Sequence, residues 1–168
     1  MLLKGFSVFK NKLQTLGKEV PKLFIVGDGD ELDKLKMIIS ELALEDNVEL
    51  IGARNDINVI LSESDVYILP SLEEGLSISL IEALSSGIPI IATNVGGNPD
   101  VIQDYKTGLL FESGNFNDLS EKIFEYTIDY NLRKDISINC IKKSDEFDIK
   151  TCEKKYLNMY LKERNSIL

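Results

Sequence analysis

Apolar positions along the chain fall into short runs and helical stripes that take turns. Residues 22–26 (KLFIV) form a β-rich run ending in Gly27-Asp28-Gly29, after which Leu32, Leu35, Ile38, Ile39 and Leu42 recur at helical spacing. Residues 48–51 (VELI) read as a second strand closed by Gly52, and Ile57, Ile60 and Leu61 share one face of a short helix. Residues 66–69 (VYIL) make a buried-type strand before Pro70. Beyond the loop at 71–77, a helix carries Leu80, Ile81, Ala83 and Leu84 and stops at Gly87, and 89–93 (PIIAT) is the next strand. Gly96-Gly97-Asn98-Pro99 turns into a short helix near Val101 and Ile102, and 108–111 (GLLF) is the last strand. From Phe116 onward the pattern is helical, through Ile123, Tyr126 and Leu132 and on to Tyr156, Met159 and Tyr160, whose spacing predicts core packing.

Strands alternating with helices over short connections require parallel pairing with crossover helices, hence a doubly wound, mostly parallel α/β sheet in three layers. The length, 168 residues, suits one domain over 1–168. Ligands of such sheets bind beyond the carboxyl ends of the strands, so the loops to inspect follow Val26, Ile51, Leu69 and Thr93.

Composition narrows the chemistry. A net charge of −9 argues against a general nucleic-acid or anionic-membrane surface. No apolar run reaches the roughly 18–20 residues of a membrane span, and the first residues do not read as a signal peptide, so a cytoplasmic location is expected. The chain has no histidine, which removes His-based triads, His general bases and His-ligated zinc. Cys140 and Cys152 show neither metal nor redox spacing and read as reduced structural thiols. No metal and no cofactor are expected. Gly27-Asp28-Gly29 does not continue as a dinucleotide fingerprint, because Leu32 stands where the third glycine belongs.

The richest segment runs from Pro70 to Ala83, PSLEEGLSISLIEA. A strand ends at Leu69 and a helix starts within ten residues. Gly75 allows close backbone approach, and the amides of Leu76, Ser77 and Ile78 lie where a helix start presents free donors, a geometry that suits a phosphate or diphosphate. Glu74 and Glu82 flank that anion hole. Carboxylates there make sense when the ligand also carries sugar hydroxyls, which donate well to an ionised acceptor. Ser79-Leu80-Ile81-Glu82 also fits a capping box, in which Glu82 merely satisfies the helix start.

Glu74 and Glu82 within PSLEEG and LIEALSSGIPIIAT resemble the E-x7-E signature of the family-4 retaining glycosyltransferases, which have the GT-B fold. The ordered matches at 94–102, 107–111, 26–29 and 51–52, with Lys4-Gly5 at the front, resemble that family's nucleotide-sugar-binding C-terminal domain. The resemblance implies a Rossmann-like hexosyltransferase domain in glycan or cell-surface polysaccharide synthesis. In it Glu82 holds the ribose, Glu74 contacts the donor sugar, and the backbone of Gly75, Leu76, Ser77 and Ile78 holds the diphosphate. Gly27 lies at the donor site, backbone near Gly52 and Arg54 faces the base, and Lys4 neutralises the leaving diphosphate.

It also implies departures. The family's arginine before the Lys-Gly pair, the first strand of the domain and the acceptor-binding N-terminal domain are not in this sequence. The missing strand would lie between those at 22–26 and 66–69, opening the middle of the sheet. Residues 148–168 are expected as a helix that packs back toward the N-terminal domain. A truncated, non-catalytic nucleotide-binding module that needs a separate acceptor domain is the alternative reading; a sugar-nucleotide epimerase ranks below both for want of histidine.

Overall fold

The computed structural model describes the backbone of residues 1–166 and the side chains through Leu161. The elements run α1 (Leu2–Thr15), β1 (Leu23–Val26), α2 (Leu32–Glu41), β2 (Val48–Gly52), α3 (Ile57–Ser62), β3 (Tyr67–Leu69) and α4 (Ile78–Ser86). They continue with β4 (Ile90–Thr93), α5 (Asn98–Val101), β5 (Leu109–Phe111), α6 (Phe116–Ile128), α7 (Tyr130–Ser144), a 3-10 turn (Asp145–Phe147) and α8 (Ile149–Ser166). All strand pairs are parallel, with helices between them, so the chain is an open, doubly wound α/β fold.

The strands form two sheets, β1–β2 and β3–β4–β5. Burial separates the two. Every residue of β4, Ile90 to Thr93, is buried, as a strand paired on both edges and covered on both faces must be. In β1 burial alternates, and Phe24 and Val26 stay exposed. Among the described residues no ladder joins β1 to β3, so the strands do not form one continuous sheet.

Helix α1 is absent from the pattern read above, although Leu3, Phe6, Phe9 and Leu13 lie on one buried face against α6. Burying each such side chain is worth roughly 1.5–3 kcal/mol, so this face anchors the helix. Tyr126 of α6 closes the core under β4: its hydroxyl donates to the Ile90 carbonyl at 3.0 Å, and burial raises its pKa. Cys140 is buried, its thiol pushed up to about 12 by desolvation, and Sγ–H points to the Thr107 carbonyl at 3.0 Å. It is an inert packing group. Cys152 is likewise a free thiol.

One expectation fails in the last helix. Tyr156, Met159 and Tyr160 of α8 are exposed, not core: among the described residues the main packing of α8 is against the preceding 3-10 turn, which does not cover that stripe. Residues 167–168, the end of the segment expected to pack toward an N-terminal domain, lie outside the described residues.

Candidate functional site

The loop from Ser71 to Ser77 leaves the carboxyl end of β3 and is held from below by β4. Thr93 Oγ1, buried at the end of β4, shares its proton between the Ser71 carbonyl at 2.7 Å and the Leu69 carbonyl at 3.2 Å. Asn98 Nδ2 donates to the Thr93 carbonyl at 3.0 Å, fixing the next turn. That turn then grips the loop through backbone alone. Gly97 N–H points at the carbonyls of Glu74 and Gly75, at 3.3 and 3.1 Å. A Cβ on Gly96 would sit 1.7 Å from the Glu74 carbonyl oxygen, and one on Gly97 would sit 2.1 Å from that of Gly75. Only glycine permits this approach. The pair therefore clamps the Glu74-Gly75 backbone, a role the sequence reading did not assign to it.

Helix α4 begins at Ile78 with Ser77 as its N-cap, and Gly87, at φ +74°, ends it in the left-handed conformation. Ser79 is thus already inside the helix, and the capping box from Ser79 to Glu82 does not form. The Ser77 hydroxyl accepts nothing from the helix amides. It faces Ser79 Oγ at 3.0 Å, and Ser79 Oγ accepts from the Tyr67 hydroxyl at 2.9 Å. The first amides of α4 have no partner within the helix, as at any helix start, and here no side chain replaces one.

Glu74 is half-buried, and Ser71 Oγ donates to its Oε2 at 2.8 Å. Glu82 is exposed and lines an open groove with Asn58, Ile78, Ile81, Ser85 and Ser86, between α3 and α4. Glu74 is not part of that groove's wall. Both carboxylates nonetheless act on one group: the Tyr67 phenol is raised in pKa by burial, the Ser79 hydrogen bond opposes this, and the charges of Glu74 and Glu82 add to the rise.

The other candidates lie on neighbouring elements. Gly27 and Gly52 stand at the carboxyl ends of β1 and β2, joined by the Gly27 N–H to the Gly52 carbonyl at 2.9 Å. Arg54 follows, but its guanidinium is engaged with the Asp56 carboxylate through Nε at 2.8 Å and Nη2 at 2.6 Å. The pairing raises the Arg54 pKa and lowers that of Asp56. Lys4 is exposed on the first turn of α1, whose start lies against the loop after β5 through Met1 Sδ and Gly114 N–H at 3.1 Å. Tyr67 and Thr93 were not singled out from sequence, while Ser79 was read there as the start of a capping box and Gly96-Gly97 as a turn. Their roles depend on cross-strand neighbours, and only the paired glycines left a mark in the chain itself.

Among the described residues no cluster of three or more metal-type side chains occurs, and no helix is long and apolar enough to cross a membrane.

Comparison with known proteins sharpens this picture. Residues 2–143 match the family described as glycosyl transferases group 1. The chain is 37% identical over 120 residues to the UDP-Gal:alpha-D-GlcNAc-diphosphoundecaprenol alpha-1,3-galactosyltransferase of Escherichia coli, an overlap of 71% of this chain and 31% of that protein. It is 34% identical over 115 residues to the N-acetyl-alpha-D-glucosaminyl L-malate synthase of Bacillus anthracis, covering 68% of this chain and 30% of that one. The crystal structure of the pneumococcal O-GlcNAc transferase GtfA, in complex with UDP and GlcNAc, superposes with a TM-score of 0.78 at 25% identity, over 94% of this chain and 31% of that one. The chain spans about a third of the length of the curated relatives it matches.

Proposed function

The chain belongs to the glycosyl transferases group 1 family, and from that premise we propose that it is the donor domain of a retaining hexosyltransferase that takes a nucleoside-diphosphate sugar. The carrying observation is the start of α4, a helix whose N-cap hydroxyl is turned away from its amides, with Glu74 just before it and Glu82 one turn inside. UDP is the nucleotide to try first, since the Escherichia coli relative is named for a UDP-linked donor and the pneumococcal neighbour was crystallised with UDP.

In this reading the backbone of Gly75, Leu76, Ser77 and Ile78 receives the diphosphate, Glu82 accepts from the ribose hydroxyls and Glu74 from the donor sugar. Gly27 and the backbone of Gly52 and Arg54 border the nucleotide; the Arg54 side chain, already paired with Asp56, is not needed there. As the anomeric C–O bond breaks, negative charge grows on the diphosphate while the acceptor hydroxyl forms the new bond and passes its proton to the departing diphosphate. Oriented amides and the Lys4 ammonium would stabilise the departing charge. None of these steps calls on a metal.

Calorimetry with UDP, GDP and their sugars on wild type and Glu82→Ala tests the reading. A UDP signal that weakens in Glu82→Ala is expected; no heat with any nucleotide sinks it. A second reading, a nucleotide-binding module that works with a separately supplied acceptor domain, is favoured by the break between the two sheets. Adding such a domain in trans and measuring sugar transfer separates the two.

A further inference from the structure

A serine at an N-cap ordinarily turns its oxygen onto the amides two and three residues later, closing the helix start. Ser77 does not, although its backbone is extended at φ −78° and ψ 118° and its side chain is packed in place at 7% exposure. Its Oγ is taken up by Ser79 Oγ at 3.0 Å, and that oxygen is in turn fixed by the Tyr67 hydroxyl at 2.9 Å. The phenol sits on β3, so the chain of hydroxyls anchors the first turn of the nine-residue helix α4 to the sheet beneath it.

We infer that Tyr67 and Ser79 are positioning residues that hold the Ser77 hydroxyl off the helix amides, so that the start of α4 stays open for the diphosphate of the donor. The inference rests on the donor-binding reading of α4. A cap and a diphosphate compete for the same N–H groups, so whatever the protein gained by capping itself would be lost again when the ligand arrived. Tyr67 serves the lock as a constant donor. Its phenol stays protonated at neutral pH and donates to Ser79 Oγ, while one of the two serine hydroxyl protons lies between the serine oxygens. The arrangement withholds a local stabilisation from the free protein and keeps the donors oriented for the ligand.

The test is a cycle of Ser79→Ala, Ser77→Ala and the double variant, with Tyr67→Phe beside it. Two readouts apply: UDP binding by calorimetry, and hydrogen exchange of the Ser79 and Leu80 amides in the ligand-free protein. Ser79→Ala releases Ser77 to cap, so UDP binding weakens about fivefold and those amides exchange more slowly. Tyr67→Phe moves both readouts the same way by less. In the Ser77→Ala background, Ser79→Ala changes neither, because no hydroxyl remains to cap. Equal weakening in both backgrounds, or unaltered amide exchange in Ser79→Ala, overturns the inference. Should wild type itself give no UDP heat, the donor reading fails, and the exchange comparison still decides whether the lock exists.

Discussion

Helices α6 and α7 begin in the usual way for helices in water: Asn115 Oδ1 accepts from the Asp118 amide at 3.0 Å and Asp129 Oδ1 from the Leu132 amide at 2.9 Å. Helix α4 begins with a residue of the same capping class, yet its hydroxyl is committed to Ser79 and its amides stay open. The first two helices use their caps to stabilise the fold. The third forgoes one and sits above a turn, Gly96-Gly97, that fixes the preceding loop by backbone contact alone. The difference between these starts lies not in which residue occupies the N-cap but in where its neighbours send that residue's oxygen; Asp56 at the start of α3, held by Arg54, likewise caps nothing.

The comparison breaks most completely at the clamp. Gly96→Ala places a methyl on the Glu74 carbonyl and adds a Cβ at φ +51°, so the loop must move. Destabilisation of about 3 kcal/mol in urea titrations and loss of UDP binding are expected together. Glu82→Ala sharpens the contrast from the other side. The side chain is exposed, so stability should change by less than about 0.5 kcal/mol while UDP binding weakens by roughly tenfold or more, the scale of a hydrogen bond to a charged group. Asp129→Ala and Asn115→Ala should do the reverse, each losing about 1 kcal/mol in the same titrations with an unchanged UDP isotherm. A fall in UDP affinity in either would mean that all helix starts matter alike. Arg54→Ala should give the smallest response, an unchanged melt and isotherm, because its ion pair with Asp56 is solvent-exposed.

Much of the fold was legible because the information was local. The strands at 22–26, 48–51, 66–69, 89–93 and 108–111 are compact β-rich runs bounded by glycine and proline, and each matches an observed strand to within a residue. Helix α1 escaped notice although Leu3, Phe6, Phe9 and Leu13 carry its period, since its defining feature is the face that α6 covers. Tyr156, Met159 and Tyr160 show the opposite failure: a helical stripe fixes the element but not whether a layer exists to bury it.

By itself, then, the sequence determined an alternating α/β chain, the helix that follows the Glu74-Gly75 loop, and the seven-residue interval between its two acids, because periodicity, turn chemistry and spacing are properties of neighbours along the chain. Tertiary structure alone decided that Ser77 leaves its helix uncapped, that Gly96 and Gly97 clamp the loop, and that the strands divide into two sheets. Each of these depends on atoms that the fold brings within a few ångströms, as the Tyr67 hydroxyl is brought to Ser79 beside Ser77, and no period in the chain encodes that.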